Sequence, residues 1–232
     1  MDNIIEHKFE NRDLLLNELQ AAIFDALSNS VKNHGKASML LSGGTSPGLL
    51  YKKLSTCDLQ WEKVWFGLTD ERWVDSNHID SNERLVRETL LQNNAKAANF
   101  IGLKSEKINP EEGLKLSSVR VAKLPMPFDI ILLGMGTDGH IASLFPDSAD
   151  THSALDLNND DLCHIIKRST GDVTRITMTL KMLMKSKQII LLFYGDEKID
   201  LYSKAKLSKT PLFPVSYILH QNKVHISLYW AE

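Results

Sequence analysis

Asp138 and His140 stand two positions apart in "FDIILLGMGTDGHIASLFPDS", residues 128–148. A neutral imidazole is the usual general base near neutral pH, and a carboxylate accepting its other ring N–H fixes the tautomer, as in hydrolytic triads. His140 differs from the other histidines because it sits in a glycine-rich turn directly after the most apolar run of the chain, Ile130–Leu133. Whether Asp138 touches the ring or only shapes the turn is open at this level.

The same turn carries Gly134, Gly136 and Gly139, spaced as G-x-G-x-x-G, the pattern of a dinucleotide cradle. Three features argue against that reading. Such a fingerprint belongs to the first strand–helix turn, and this one follows the fourth strand of the pattern. Asp138 would set negative charge against a pyrophosphate. Pro146 interrupts the segment that should continue as the phosphate-binding helix. No cofactor is expected, and no His/Asp/Glu group has metal-ligand spacing.

Three further loops carry chemistry. "SGGTSP", Ser42–Pro47, lets the backbone turn at Gly43 and Gly44 and offers the hydroxyl of Thr45 ahead of a helix, a natural anion or phosphate site. It lacks the Gly-Lys-Ser/Thr ending of a Walker A loop. "TDERWV" puts Asp70, Glu71 and Arg72 directly after a buried strand. There a carboxylate can orient a base or bind sugar hydroxyls, and a guanidinium can grip an anion or a polarised carbonyl. Ser81 or Asn82 reads as a helix cap. Arg175 in "RITMTL", placed just before a helix, and Lys198 in "GDEK" could reach a phosphate held over Gly43-Gly44.

These loops need a frame that brings them together. Asn11 caps a long amphipathic helix through about Asn33, with Leu15, Leu19, Ile23 and Leu27 on one face and Gly35 as its stop. Strands are expected at 38–42, 64–69, 99–103, 128–134, 164–168, 188–195 and 223–230. Helices are expected from about Pro47, over 82–91 and 110–124, and near 177–185 and 196–207. Strands apolar almost throughout, alternating with helices, predict a single doubly wound α/β domain spanning residues 1–232, with a mostly parallel sheet and helices on both faces. Ligands in such sheets bind at the carboxyl ends of the strands, which is where all four loops fall.

Bulk properties narrow the class. The 27 Lys and Arg against 29 Asp and Glu give a net charge of −2, so no basic field draws nucleic acid or an anionic membrane. Two cysteines without a Cys-x-x-Cys, a charged start and no long apolar run point to a reducing cytoplasmic home rather than secretion or membrane insertion.

In order and spacing, "LSGGTSPGLLY", "TDERWV" with "DSNERLVRETLL", "FDIILLGMGTDGHIASLFP", "RIT" and the Gly-x-x-Lys of "GDEK" resemble the 6-phosphogluconolactonase family, within the broader glucosamine-6-phosphate deaminase and isomerase group. The resemblance covers nearly the whole chain and implies a Rossmann-like, glucosamine-6-phosphate deaminase-like fold. It implies phosphate binding by Gly43, Gly44, Thr45, Arg175 and Lys198, with Asn82 also on the substrate. It implies His140 as general base with Asp138 alongside, Arg72 facing the substrate, and Asp70 in the catalytic set. The implied reaction is hydrolysis of 6-phospho-D-glucono-1,5-lactone to 6-phospho-D-gluconate in the oxidative pentose phosphate pathway, by a cofactor-free enzyme that is a monomer or weak homo-oligomer. Deaminases of the group carry an acidic residue five positions after the histidine, where this chain has Phe145, and Asp-Glu-Tyr in place of Asp70-Glu71-Arg72. The alternatives are a deaminase or isomerase acting on an amino-sugar phosphate, and a non-catalytic sugar-phosphate sensor. A small departure is Asp75, where lactonases often have proline.

Overall fold

A computed structural model describes residues 3–44, 46–168 and 170–232. The chain opens with β1 (Ile4–Phe9), α1 (Arg12–His34), β2 (Ala37–Leu41), α2 (Gly48–Ser55), β3 (Val64–Leu68), β4 (Asp70–Arg72), α3 (Asn82–Thr89) and β5 (Asn99–Phe100). It continues with α4 (Pro110–Val121), β6 (Phe128–Gly134), α5 (Asp150–Leu155), β7 (Cys163–Ile166), β8 (Arg175–Met178) and α6 (Leu180–Leu183). The last elements are β9 (Ser186–Tyr194), α7 (Asp196–Ala205), α8 (Ser216–Leu219) and β10 (His225–Ala231).

Seven strands form a parallel sheet in the order β1-β10-β9-β6-β2-β3-β5. All of β2 and nearly all of β6 are buried, the signature of strands covered on both faces. α1 lies across β1, β2, β6 and β10. Its ends form as the sequence dictates: the Asn11 side chain accepts from Leu14 N, and Gly35 at φ 74° closes the helix by donating its N–H to the Val31 carbonyl. Leu15, Leu19, Ile23 and Leu27 point into the core with no exposed surface. Among the described residues no helix is long and apolar enough to cross a membrane.

The sequence runs outward from β2 to β3 and β5, then returns to place β6 on the other side of β2. The strand order therefore reverses between β2 and β6, and the loops leaving these two strands diverge to leave a crevice. The chain departs from the main sheet at Thr69, whose N–H still bonds to the Leu41 carbonyl while its own carbonyl accepts from Met178 N. From there β4 enters a second, antiparallel sheet of order β4-β8-β7.

Several elements differ from the sequence expectation: β4, α5 and α8 are not among those expected, the strand expected at 99–103 is only Asn99–Phe100, and three further differences have a clear physical reason. Ile4–Phe9 is an edge strand, hidden in the sequence because its exposed positions carry Glu6 and Lys8, the charges with which edges are blunted. The strand expected at 164–168 forms at Cys163–Ile166 and belongs to the small sheet. The helix expected near 177–185 shrinks to Leu180–Leu183 behind the Thr179 cap, because Arg175–Met178, expected just before that helix, pairs as a strand with both β4 and β7.

Candidate active site

A cleft of about 270 Å³ opens at the carboxyl ends of β2 and β6. Its wall is made by Ser42, Gly43 and Gly44 after β2, Asp70 and Arg72 of β4, Asn82 at the start of α3, His140 after β6, and Lys198 in the first turn of α7. Five separate stretches of the sequence thus converge on one crevice. Thr45, expected beside Gly44, lies outside the described residues.

His140 Nδ1 stands 2.5 Å from Asp138 Oδ1, and the same oxygen accepts the His140 backbone N–H at 3.1 Å. An ionised carboxylate can only accept, so Nδ1 carries the proton and Nε2 is left with its lone pair. Burial alone would raise the Asp138 carboxyl, but the hydrogen bond and charge of His140 outweigh it and hold the group below its ordinary 3.8. Asp138 itself does not line the cleft; it sits behind the ring. Gly136 explains the glycine spacing, since a Cβ there would stand 2.1 Å from His140 Nδ1 and 2.7 Å from Asp138 Oδ1. The glycine leaves room for the Asp–His pair, and no helix begins at this turn: the next one starts at Asp150. The imidazole packs against Phe145 at 4.5 Å between centroids, and the Arg168 guanidinium lies over the Phe145 ring at 4.4 Å from its centroid.

The opposite wall is a hydrogen-bonded unit. Asn82, only 3% exposed, donates from Nδ2 to the Asp70 carbonyl at 2.9 Å, and its Oδ1 accepts from Arg72 Nη1 at 3.4 Å. Arg72 Nη1 also donates to the Asp80 carbonyl. Gly43 packs directly on this amide, where a Cβ would fall 1.7 Å from Asn82 Oδ1. Asp70 is buried, with Oδ2 accepting from Ser143 Oγ at 2.6 Å and Oδ1 from Thr69 Oγ1 at 3.1 Å.

Glu71, named in the sequence only as part of the charged loop, has a structural role of its own. Its buried carboxylate accepts from the backbone N–H of Arg72 (2.7 Å), Asn82 (2.8 Å) and Glu83 (2.7 Å) and from Ser81 Oγ (3.0 Å). Burial pushes its carboxyl above the ordinary value while these four donors pull it back. The side chain clamps the first turn of α3 onto β4 and so fixes both Asn82 and Arg72. The available signal was a carboxylate eleven positions before a helix start that leaves backbone donors unsatisfied. Ser143 was missed, because "ASLF" reads as ordinary packing.

Lys198 is half-buried. Desolvation lowers its ammonium below the usual lysine value, with Glu197 and Asp138 partly opposing. Arg175 does not line the cleft; it lies directly across the β4–β8 ladder from Arg72. Burial first, then the neighbouring Arg72 charge, lowers its guanidinium. Two adjacent guanidinium groups in a half-buried setting make a local excess of positive charge beside the cleft.

The sequence matches, over residues 10–230, the family described as Glucosamine-6-phosphate isomerases/6-phosphogluconolactonase. The chain belongs to this family. It is 34% identical to a 6-phosphogluconolactonase of Caulobacter vibrioides over 228 residues, covering 97% of this chain and 96% of that protein. A 6-phosphogluconolactonase of Mesorhizobium japonicum is 33% identical over 223 residues, covering 96% and 93%. Among solved structures, a 6-phosphogluconolactonase from Shewanella baltica superposes with a TM-score of 0.94 at 35% identity, over 99% of this chain and 98% of that one. Within the family the chain is thus similar over its full length to lactonases, and it is a hydrolase.

Proposed function

We propose that this protein hydrolyses 6-phospho-D-glucono-1,5-lactone to 6-phospho-D-gluconate, the lactone-opening step of the oxidative pentose phosphate pathway, in the cytoplasm. The observation that carries the reading is the Asp138–His140 pair, with Nδ1 spoken for and the ring on the wall of a cleft that also holds Gly43, Gly44 and Lys198. Nε2 of His140 accepts a proton from water as its oxygen attacks C1 of the lactone. The carbonyl electrons move onto the exocyclic oxygen, giving a tetrahedral oxyanion near the Arg72 guanidinium. Collapse breaks the bond from C1 to the ring oxygen, and the imidazolium returns the proton to that departing oxygen as the C5 hydroxyl. Positioned acid–base transfer of this kind contributes on the order of 10²–10⁴-fold. Asp138 keeps the imidazole in the right tautomer and offsets its charge. Gly43, Gly44, Thr45 and Lys198 hold the phosphate, with Arg175 adding positive charge beside the cleft and Asn82 on the sugar, so that binding energy away from the ester orients C1. The charge excess at Arg72 and Arg175 supports an anion at that end of the site.

The deaminase reading is disfavoured by Phe145, whose ring fills the space against His140 where the related enzymes bring a carboxylate. A sensor would need the phosphate loop but no oriented imidazole. The test is lactone disappearance measured against its spontaneous hydrolysis, with His140→Ala beside the wild type. Clear acceleration by the wild type and near-background rates for the variant are expected. Full activity in His140→Ala, or ammonia release from glucosamine 6-phosphate without lactone turnover, sinks the reading.

A further inference from the structure

Behind the cleft, a chain of buried hydroxyls joins the three loops that form it. Ser42 Oγ, at the end of β2, lies 2.9 Å from Thr69 Oγ1 and 2.9 Å from the Leu132 carbonyl of β6. Thr69 Oγ1 lies 3.1 Å from Asp70 Oδ1, and Ser143 Oγ lies 2.6 Å from Asp70 Oδ2. Ser143 has no exposed surface and does not line the cleft, whereas Asp70 does.

The proton count singles out Ser143. Ser42 and Thr69 bring one hydroxyl proton each to four contacts: Ser42 with Leu132, Ser42 with Thr69, Thr69 with Asp70, and Thr69 with the Leu41 carbonyl at 3.4 Å. Thr69 therefore bonds Asp70 only when its single proton is not given to Ser42 or to Leu41. Among the described residues Ser143 has one acceptor within reach, the carboxylate, so its bond is permanent and charge-assisted. The backbone is shaped to make it. Ile141 and Leu144 close a tight turn, Leu144 N to Ile141 O at 2.9 Å, with Ala142 forced to φ 48°, a conformation that strains any residue with a Cβ. The same turn is pinned a second time by Ser143 N donating to Thr177 Oγ1 of β8 at 3.3 Å. His140 immediately precedes this turn, and Asp70 begins the strand that carries Arg72.

We infer that Ser143 is a positioning residue that acts through Asp70, locking the His140 loop to β4 so that base, carboxylate and guanidinium keep one mutual geometry during turnover. The inference rests on the lactonase reading for its kinetic consequence and on the contact alone for its structural one.

The experiment is a double-mutant cycle of Ser143→Ala and Asp70→Ala, read in steady-state lactone hydrolysis and in urea unfolding. Removing a permanent bond to a buried carboxylate should lower kcat on the order of tenfold to a hundredfold. Inhibition by the product, 6-phosphogluconate, should stay within about twofold, because the phosphate contacts are untouched. In the Asp70→Ala background the Ser143 change should lower kcat by no more than about twofold, since its acceptor is already gone. Losses that multiply in the double variant, a Ser143→Ala enzyme of wild-type kcat, or a loss confined to KM overturn the inference. If Ser143→Ala is too unstable to assay, Ser143→Cys keeps a weak donor and reads the same coupling with a smaller loss. A wild type that does not accelerate lactone opening removes the lactonase reading by itself. The unfolding midpoints then decide: non-additive shifts retain the Ser143–Asp70 lock, and additive shifts refute it.

Discussion

Replacing Gly43 with alanine puts a carbon where Asn82 already stands. On the existing backbone the new Cβ would lie 1.7 Å from Oδ1, 2.2 Å from Cγ and 2.7 Å from Nδ2 of Asn82, against 3.4–4 Å for ordinary contact. The amide must retreat by well over an ångström, yet Asn82 is 3% exposed and has nowhere to go without releasing the Asp70 carbonyl and Arg72. Overpacking of a closed site costs roughly 1–3 kcal/mol, and a lost hydrogen bond to the strand about 0.5–1.5 more, so a destabilisation of about 2–4 kcal/mol is expected. Urea unfolding measures it, and titration with 6-phosphogluconate measures the accompanying loss of affinity. The decisive comparison is the Asn82→Ala background, where the colliding atoms are gone and Gly43→Ala should cost under about 1 kcal/mol. Gly44 supplies the control. It sits at φ 93° with nothing within 4 Å of a would-be Cβ, so Gly44→Ala should cost about 1–2 kcal/mol from backbone strain alone, unrelieved by Asn82→Ala. An equal loss for Gly43→Ala in both backgrounds would refute the reasoning, because the clash with Asn82 would then not be its cause.

Four other outcomes are expected. Asp138→Asn should lower kcat by roughly 10²–10⁴-fold with little change in KM, as the imidazole loses its enforced tautomer; a near-normal kcat would show that the pair is only structural. Because the Asp138 carboxyl is held below 3.8, it stays ionised above that pH, and its stabilising contribution is lost only as pH falls through its still lower folded value. Asp138→Asn should therefore steepen no transition above pH 4, which acid unfolding curves of both proteins can check. Lys198 is charged below its folded pKa and neutral above it, and burial sets that pKa under 10.5. Affinity for 6-phosphogluconate should thus decline at lower alkaline pH than an ordinary lysine would give, and Lys198→Ala should abolish that decline. Arg175→Ala should weaken product binding about tenfold at nearly constant kcat, and unchanged affinity would leave Arg175 a mere ladder residue.

The frame was legible wherever burial was uniform. Phe128–Gly134 and Ser38–Leu41 read as strands because nearly every position is apolar or small, and α1 declared both of its ends through Asn11 and Gly35. The small sheet was only half legible. "HIIKR" read as a strand without showing that it belongs to a second sheet, whereas "RITM" is four residues long, too short for periodicity to tell a strand from the start of a helix, and only its pairing with β4 and β7 decides the matter. Within the cleft, residues whose side chains face the crevice were legible by type: His140, Arg72, Lys198 and Asn82. The residues that hold them were not. Glu71 and Ser143 act through partners ten or more positions away, and a single sequence records no such pairing. Arg175 was read as a cleft residue from its charge, and the strand it occupies sets it directly across the β4–β8 ladder from Arg72, outside the cleft lining.

The glycines show why spacing alone misleads. G-x-G-x-x-G in a dinucleotide cradle brings a helix N-terminus to a pyrophosphate, so its glycines make room for a ligand. Here Gly136 makes room for the protein's own Asp138–His140 pair, and Gly43 for the Asn82 amide. In both loops the missing Cβ admits a polar side chain that is already hydrogen-bonded to another part of the wall. That arrangement limits how the cleft can adjust. A substrate pressing on the Gly43 loop meets Asn82, which is tied to β4; one pressing on the His140 turn meets Asp138, held behind the ring. Neither wall yields without breaking a bond made inside the protein. On the proposed lactonase reading, the geometry for proton transfer is set before substrate arrives, and the remote phosphate has only to deliver C1 to it.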